Sequence, residues 1–148
     1  MAKKKKRRDP NSLPMLKKKA WDSFSKFIRL RDGIRTMNSK TEVVCITCGK
    51  IYPAFGSGCV QAGHFVSGRT NAVLFEENGV HAQCFTCNVR LKGATTMYRL
   101  VMVDKYGEEE TLRLEHMIYK TIKLTGADYI DIRKKYDLKF KELMEKKL

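Results

Sequence analysis

Two cysteine pairs, Cys45-Ile46-Thr47-Cys48 and Cys84-Phe85-Thr86-Cys87, constrain this chain more than any other feature. A gap of two residues lets both sulfurs point into one pocket from a tight turn. Two such pairs complete the tetrahedral four-sulfur shell that Zn²⁺ favours. The 35 residues between Cys48 and Cys84 exceed simple finger spacing, so a small subdomain must sit between the pairs. A four-thiolate shell leaves no position for water, so the zinc is expected to be structural rather than catalytic. An iron–sulfur cluster could also use four thiolates, but nothing in the chain favours it. The fifth cysteine, Cys59, reads as a partly buried thiol outside this set.

A disulfide framework would need an oxidising compartment. The N-terminal stretch lacks the apolar core of a signal peptide. No run approaches the roughly 18 apolar residues of a spanning helix. The expectation is therefore a reducing cytoplasm, with no membrane partner. The 148 residues suit one domain with appendages, and so short a chain gains much from a metal staple.

The net charge of +14 predicts attraction to a polyanion. Residues 1–35 hold 13 basic and 3 acidic side chains, so most of this charge lies upstream of the first cysteine pair. Lys3, Lys4, Lys5, Lys6, Arg7 and Arg8 form one unbroken run. Like charges repel, so residues 1–14 are expected to be a disordered tail until they meet phosphate. Trp21, Phe24, Phe27 and Ile28 then recur at helical spacing, predicting a helix from Pro14 to Arg31 with Lys17, Lys18 and Lys19 outside its apolar stripe. That asymmetry favours a DNA-gripping arm over an evenly basic surface.

Residues 15–92 are expected to carry this helix and the zinc-stapled core, and residues 93–148 a helical region. In the latter, Met97 to Tyr106 and Leu112 to Ile118 suggest two helices. Tyr129, Ile132, Tyr136, Phe140 and Leu143 suggest a last one from Ala127, begun at Thr125-Gly126-Ala127-Asp128. Between the cysteine pairs, Val60 to Val66 and Ala72 to Phe75 read as a β-hairpin around Ser67-Gly68-Arg69-Thr70-Asn71. The second pair then opens a helix carrying Asn88, Arg90 and Lys92. The order strand, strand, helix, with a histidine on the first strand and an asparagine on the helix, is a ββα-metal arrangement.

The residues Cys45 and Cys48, Ala62-Gly63-His64-Phe65, His81-Ala82-Gln83-Cys84 and Cys87-Asn88 resemble the HNH superfamily. More narrowly, they resemble the NinG/Rap recombination endonucleases of lambdoid phages, and the likeness runs on through Tyr98 and Lys105-Tyr106-Gly107-Glu108. The resemblance implies an α+β fold with a small treble-clef, ββα-metal HNH core, zinc knuckles and flanking N- and C-terminal helices. It also implies a metal-dependent endonuclease of phage recombination in the infected bacterial cytoplasm, acting on branched DNA such as Holliday junctions. Charge and spacing alone indicate no branched substrate. Two symmetric cuts at a junction would suit a homodimer, but the sequence does not choose an oligomeric state.

Phosphodiester hydrolysis needs an activated water and a counter-charge for the developing negative phosphorane. His64 can take a proton at neutral pH, and Mg²⁺ or another divalent cation can stabilise the charge. Asn88 matches the family's metal-holding helix position, with His81 or Gln61 as further candidate ligands. Arg69, Arg90, Lys92 and Arg99 are candidates for the flanking phosphates. Two departures from the family's pattern stand out. Gly63 takes the place where many HNH enzymes carry an acidic ligand, so Gln61, His81, Glu76 or Glu77 would have to complete the shell. Gly79 also stands where relatives carry the middle asparagine, with Asn78 one place earlier. A non-catalytic zinc module that binds DNA, a zinc-bearing protein-interaction adaptor, and an HNH nuclease with another DNA substrate all remain open on sequence.

Overall fold

The structure, a computed structural model, describes residues 7–148 apart from Arg69. The proposed DNA contacts Lys3, Lys4, Lys5, Lys6 and Arg69 therefore lie outside the described residues. Helix α1 (Leu13–Met37) has Pro14 in its first turn and buries Ala20, Phe24, Phe27, Ile28 and Leu30. It runs six residues beyond Arg31, through an Asp-Gly pair that reads as a helix stop. Gly33 has a different purpose: a Cβ there would stand 2.8 Å from the carbonyls of both Ser39 and Glu42. The chain leaving the helix folds back over that bare Cα, and Asn38 ends the helix in a left-handed conformation at φ 49°.

Strands β1 (Glu42–Val44) and β2 (Ile51–Pro53) form one antiparallel pair around the first cysteine turn. Strand β3 (Gln61–His64) pairs antiparallel with β4 (Val80–Gln83). The predicted hairpin is thus half right. Its first strand stands, but Ala72–Phe75 is not the second. Asn71–Leu74 forms a single helical turn, α2, with Ala72, Val73 and Leu74 buried. Asn71 anchors that turn, donating to the Ile122 carbonyl at 3.2 Å and accepting from Tyr129 Oη at 3.0 Å. The expected helix after Cys84 is also cut short. One wide helical turn spans Thr86–Arg90, and Lys92 lies beyond it with a positive φ of 51°. The chain reverses here because Gly93 N donates back to the Cys87 carbonyl at 2.9 Å.

Helices α3 (Thr95–Tyr106), α4 (Glu108–His116) and α5 (Gly126–Glu145) complete a mixed helix-and-sheet fold. Helix α5 begins with a reciprocal cap, in which Asp128 N donates to Thr125 Oγ1 and Thr125 N to Asp128 Oδ2, at 3.2 and 2.7 Å. Tyr136 on α5 packs edge-on against Phe24 on α1, with ring centroids 4.7 Å apart, in one core with Ala62 and Val80. A second core joins Phe65, Val73, Tyr98, Met102 and Leu114. No described helix is long and apolar enough to cross a membrane.

A buried polar knot joins α1 to β4. Arg31 and Asp32 are ion-paired at 2.8 Å. Asp32 Oδ2 accepts from Ala82 N at 2.7 Å, while Arg31 donates to the Val80 carbonyl at 2.8 Å. Burial alone would raise the Asp32 pKa, but hydrogen bonding to His81 and the Arg31 charge outweigh it and hold the carboxyl down at about 2. A carboxylate whose pKa falls on folding stabilises the fold above its unfolded value, ordinarily 3.8. That contribution is lost as pH drops through this range towards 2. Arg31→Met should leave the buried Asp32 carboxylate without its guanidinium counter-charge and cost about 3–5 kcal/mol. Urea unfolding at neutral pH with zinc present would measure the loss, and a variant as stable as wild type would contradict this role.

Candidate functional site

The first cysteine pair sits on the turn between β1 and β2, and the second follows directly from β4. All four sulfurs, of Cys45, Cys48, Cys84 and Cys87, lie within 4.8 Å of one another. The Cys48 and Cys84 sulfurs are 3.9 Å apart. A tetrahedral zinc with Zn–S bonds of about 2.3 Å would set its sulfurs about 3.8 Å apart. Backbone donors converge as well, with Cys84 N on Cys45 Sγ at 3.3 Å and Cys87 N on Cys84 Sγ at 3.4 Å. Burial acts to raise the Cys45 pKa, but the surrounding N–H and hydroxyl donors pull it down to about 6. Burial and the neighbouring sulfurs push Cys87 up to about 12, against the pull of Thr47. Four thiolates in so small a volume need a cation among them, so the donor set fits a metal ion such as zinc. Cys59 stands apart, half-buried, with its sulfur 3.6 Å from Arg29 Nη1.

The β3–β4 register sorts the other candidates. Gln61, Gly63, His81 and Gln83 share one face of the hairpin, whereas Ala62, His64, Val80 and Ala82 share the other. His64 stacks on Trp21, with ring centroids 5.0 Å apart and planes 20° from parallel. Its Nε2 lies 3.2 Å from the Leu74 carbonyl. A carbonyl only accepts, so that bond requires a proton on Nε2. The neutral ring then carries its lone pair on Nδ1.

Asn88 and Gln61 come together on the opposite face, where Asn88 Nδ2 donates to Gln61 Oε1 at 2.7 Å. His81 does not join them. It is 1% exposed, with Nδ1 3.1 Å from Arg31 Nη2 and Nε2 3.1 Å from both the Asn78 carbonyl and Tyr106 Oη. Protein groups engage both ring nitrogens, an arrangement that suits a structural histidine. Glu76 pairs with Arg113, Glu77 binds Lys139 and Tyr136, and the Asn78 amide turns to Glu110. These carboxylates and Asn78 are therefore committed away from Asn88. Arg99 is held between Glu108 and Glu115, both at 2.7 Å.

Among the basic candidates, Lys18 pairs with Asp22 at 2.6 Å and Lys19 reaches the Pro10 carbonyl at 3.0 Å. Lys17 is half-buried near the start of α1. Arg7 is exposed, and so are Arg8, Lys92 and Arg90, the last lying 5.8 Å over the Phe85 ring.

Sequence reasoning missed Gln83. It is fully buried, and its Nε2 donates to the Gly93 carbonyl at 2.8 Å and to Thr47 Oγ1 at 3.2 Å. The available signal was a long polar side chain on a strand whose every residue is buried. Arg31 and Asp32 were missed for a similar reason, since a charged pair near a helix end resembles solvated surface.

A family profile described as "NinG: Bacteriophage Lambda NinG protein" matches residues 1–146. The chain is 29% identical over 130 residues to "Protein ninG" of Escherichia phage 933W, covering 85% of this chain and 57% of that protein. It is 28% identical over 132 residues to "Protein ninG" of Salmonella phage P22, covering 86% and 57%. For "Protein ninG" of Escherichia phage lambda the identity is 28% over 130 residues, covering 85% and 56%. The chain thus spans a little over half the length of the curated relatives it matches. No solved structure matches.

The cysteine cluster yields a direct expectation. Purified protein should hold about one zinc per chain, and Cys84→Ser should lower that content and the melting temperature together. Zinc affinity should fall as pH drops, because the thiols must lose protons to bind. Elemental analysis across pH checks all three points, and a metal-free protein with unchanged melting would refute them.

Proposed function

Given that the chain belongs to the bacteriophage lambda NinG family, we propose that it is a metal-dependent DNA endonuclease of the HNH type. On this reading it cuts branched recombination intermediates such as Holliday junctions. The hairpin β3–β4 and the turn carrying Asn88 would be its ββα core, with the four-cysteine cluster as a structural zinc site. The observation that carries the reading is the arrangement about the end of β3. His64 stands on one face with its Nε2 at the Leu74 carbonyl, while Asn88 lies on the other, its Nδ2 donating to Gln61 Oε1 and its Oδ1 turned towards Gly63, the residue before His64.

In this mechanism His64 Nδ1 takes a proton from water as the water oxygen attacks phosphorus. The bond from phosphorus to the bridging oxygen breaks, and the leaving oxygen is protonated from solvent. Trp21 and the Leu74 carbonyl fix the imidazole in plane and tautomer, so that little reorganisation remains at the moment of transfer. A divalent cation such as Mg²⁺ would offset the charge gathering on the phosphoryl and leaving oxygens. Asn88 and Gln61 would hold it. Hard oxygen donors suit such an ion, and the gathered amides are that donor type. Lys17, Lys18, Lys19, Arg90, Lys92 and the basic N-terminal run would grip the backbone to either side, with affinity falling steeply as salt rises.

Cleavage of matched linear duplex, flap and four-way-junction DNAs with Mg²⁺ tests the proposal. Wild type should cut junctions preferentially. His64→Ala should cut about 10²–10⁴-fold more slowly while binding DNA as well as wild type. Tight binding without cutting, across several divalent metals, would instead identify a zinc-stapled DNA-binding module.

A further inference from the structure

Gln83 has a feature that neither the cysteine cluster nor the hairpin requires. Its amide nitrogen is satisfied by Gly93 and Thr47, but its Oε1 is buried with no hydrogen-bond partner among the described residues. Turning the amide over would set that oxygen against the Gly93 carbonyl, so the bond to Gly93 fixes the orientation. Oε1 is aimed at the bare Cα of Gly63. A Cβ built on Gly63 would stand 2.2 Å from Gln83 Oε1, 2.9 Å from Gln83 Cβ and 3.2 Å from Asn88 Oδ1. Two carbonyl oxygens therefore flank the space that any side chain at position 63 would fill. Of these neighbours Asn88 is the half-exposed one, tethered on its outer side to Gln61 Oε1 at 2.7 Å. The polar atoms nearest that space are two amide oxygens, a donor type that suits a hard cation such as Mg²⁺, Mn²⁺ or Ca²⁺.

We propose that Gln83 is a ligand of the divalent cation, its carbonyl oxygen standing with Asn88 Oδ1 where a carboxylate at position 63 would otherwise reach. This rests on the nuclease reading for the identity of the cation's task, but not for its binding. It follows that Gly63 is obligatory beside Gln83, because an added side chain would strike the amide oxygen. It follows too that the protein part of the shell carries no formal charge. An uncharged shell holds a free divalent ion weakly, and a phosphate supplies the missing negative charge. Cation and nucleic acid therefore bind cooperatively, each tightening the other by the same factor.

The test is a Mn²⁺ titration of the zinc-loaded full chain, followed by the electron paramagnetic resonance of the free ion. It is run alone and with a four-way-junction DNA, after subtraction of the DNA's own uptake. Wild type should bind weakly alone and about tenfold or more tightly with DNA. Gln83→Met keeps the volume but removes the oxygen, and should lower affinity by about 10–100-fold. Gly63→Asp alone should weaken binding through the collision, whereas Gly63→Asp with Gln83→Ala should recover it. Zinc content and circular dichroism confirm folding, and if Gln83→Met fails there, the Gly63 pair decides.

Folded Gln83→Met with wild-type affinity would overturn the assignment, as would a wild type that takes up no Mn²⁺ in either condition. Mg²⁺-dependent cutting combined with a silent Gln83→Met would keep the nuclease reading and reject this ligand. Gln83-dependent Mn²⁺ uptake without any cutting would do the reverse.

Discussion

A two-stranded hairpin has an outer edge whose backbone groups have no third strand to meet, and on β4 that edge is buried. Every buried N–H and C=O needs a partner, so the fold depends on what supplies them. Here side chains of α1 do much of it. Asp32 accepts from Ala82 N, Arg31 donates to the Val80 carbonyl, and Ile46 N closes onto the Ala82 carbonyl at 2.9 Å. A helix thus completes the edge through a carboxylate and a guanidinium. Burying an ion pair is a poor source of net stability, because desolvation opposes the attraction. Its effect is on register: only one alignment of α1 on β4 satisfies Arg31, Asp32 and His81 together, and a slide by one residue would strand two charges in the core.

The cysteine cluster is the second clamp on the same strand. Cys84 follows β4 directly, and its N–H points at the Cys45 sulfur from the first turn. β4 is thus held along its edge by α1 and at its end by the sulfurs. β3 inherits that position through four paired residues, and Tyr98 on α3 adds a hydrogen bond to the Gly63 carbonyl at 2.8 Å. Hairpins of this size have little stability of their own. Placement of His64 and of the oxygens around Gly63 is therefore owed to parts of the chain distant in sequence, which is how a small scaffold holds a site rigidly.

The features legible in sequence were those with a local period or spacing. Both cysteine pairs, the apolar stripe of α1 and the stripe of α5 were of this kind, and each lies where its pattern placed it. What escaped was set by contact between remote segments. Asp32-Gly33 looks like a helix end until the chain after Asn38 is seen crossing the glycine. Ala72–Phe75 looks like a strand until Tyr129 of α5 is found holding Asn71 in a helical turn. The hairpin partner escaped because 72–75 is a continuous apolar run, whereas 80–83 carries two polar side chains, His81 and Gln83, that are buried all the same. Gln61 and Asn88 were singled out separately, and their hydrogen bond across 27 residues appears only in three dimensions.

The same distinction explains why Gly63 looked like a defect in the pattern. Read along the chain, a glycine before His64 removes a side chain from where a carboxylate would be expected. Read across the hairpin, the space is already taken, since Gln83 projects from the opposite strand onto the bare Cα and brings an oxygen with it. The two positions are one unit: Gln83 needs a glycine diagonally across the hairpin, and a glycine there would leave a hole without Gln83. A carboxylate would carry charge of its own, whereas the amide is neutral and held by Gly93 from behind. In a chain with a net charge of +14, most of it upstream of Cys45, attraction for a polyanion is already supplied away from the hairpin. On the proposed reading, a neutral niche at the hairpin leaves the phosphate itself as the local negative charge, which would tie the niche's affinity for a cation to bound nucleic acid.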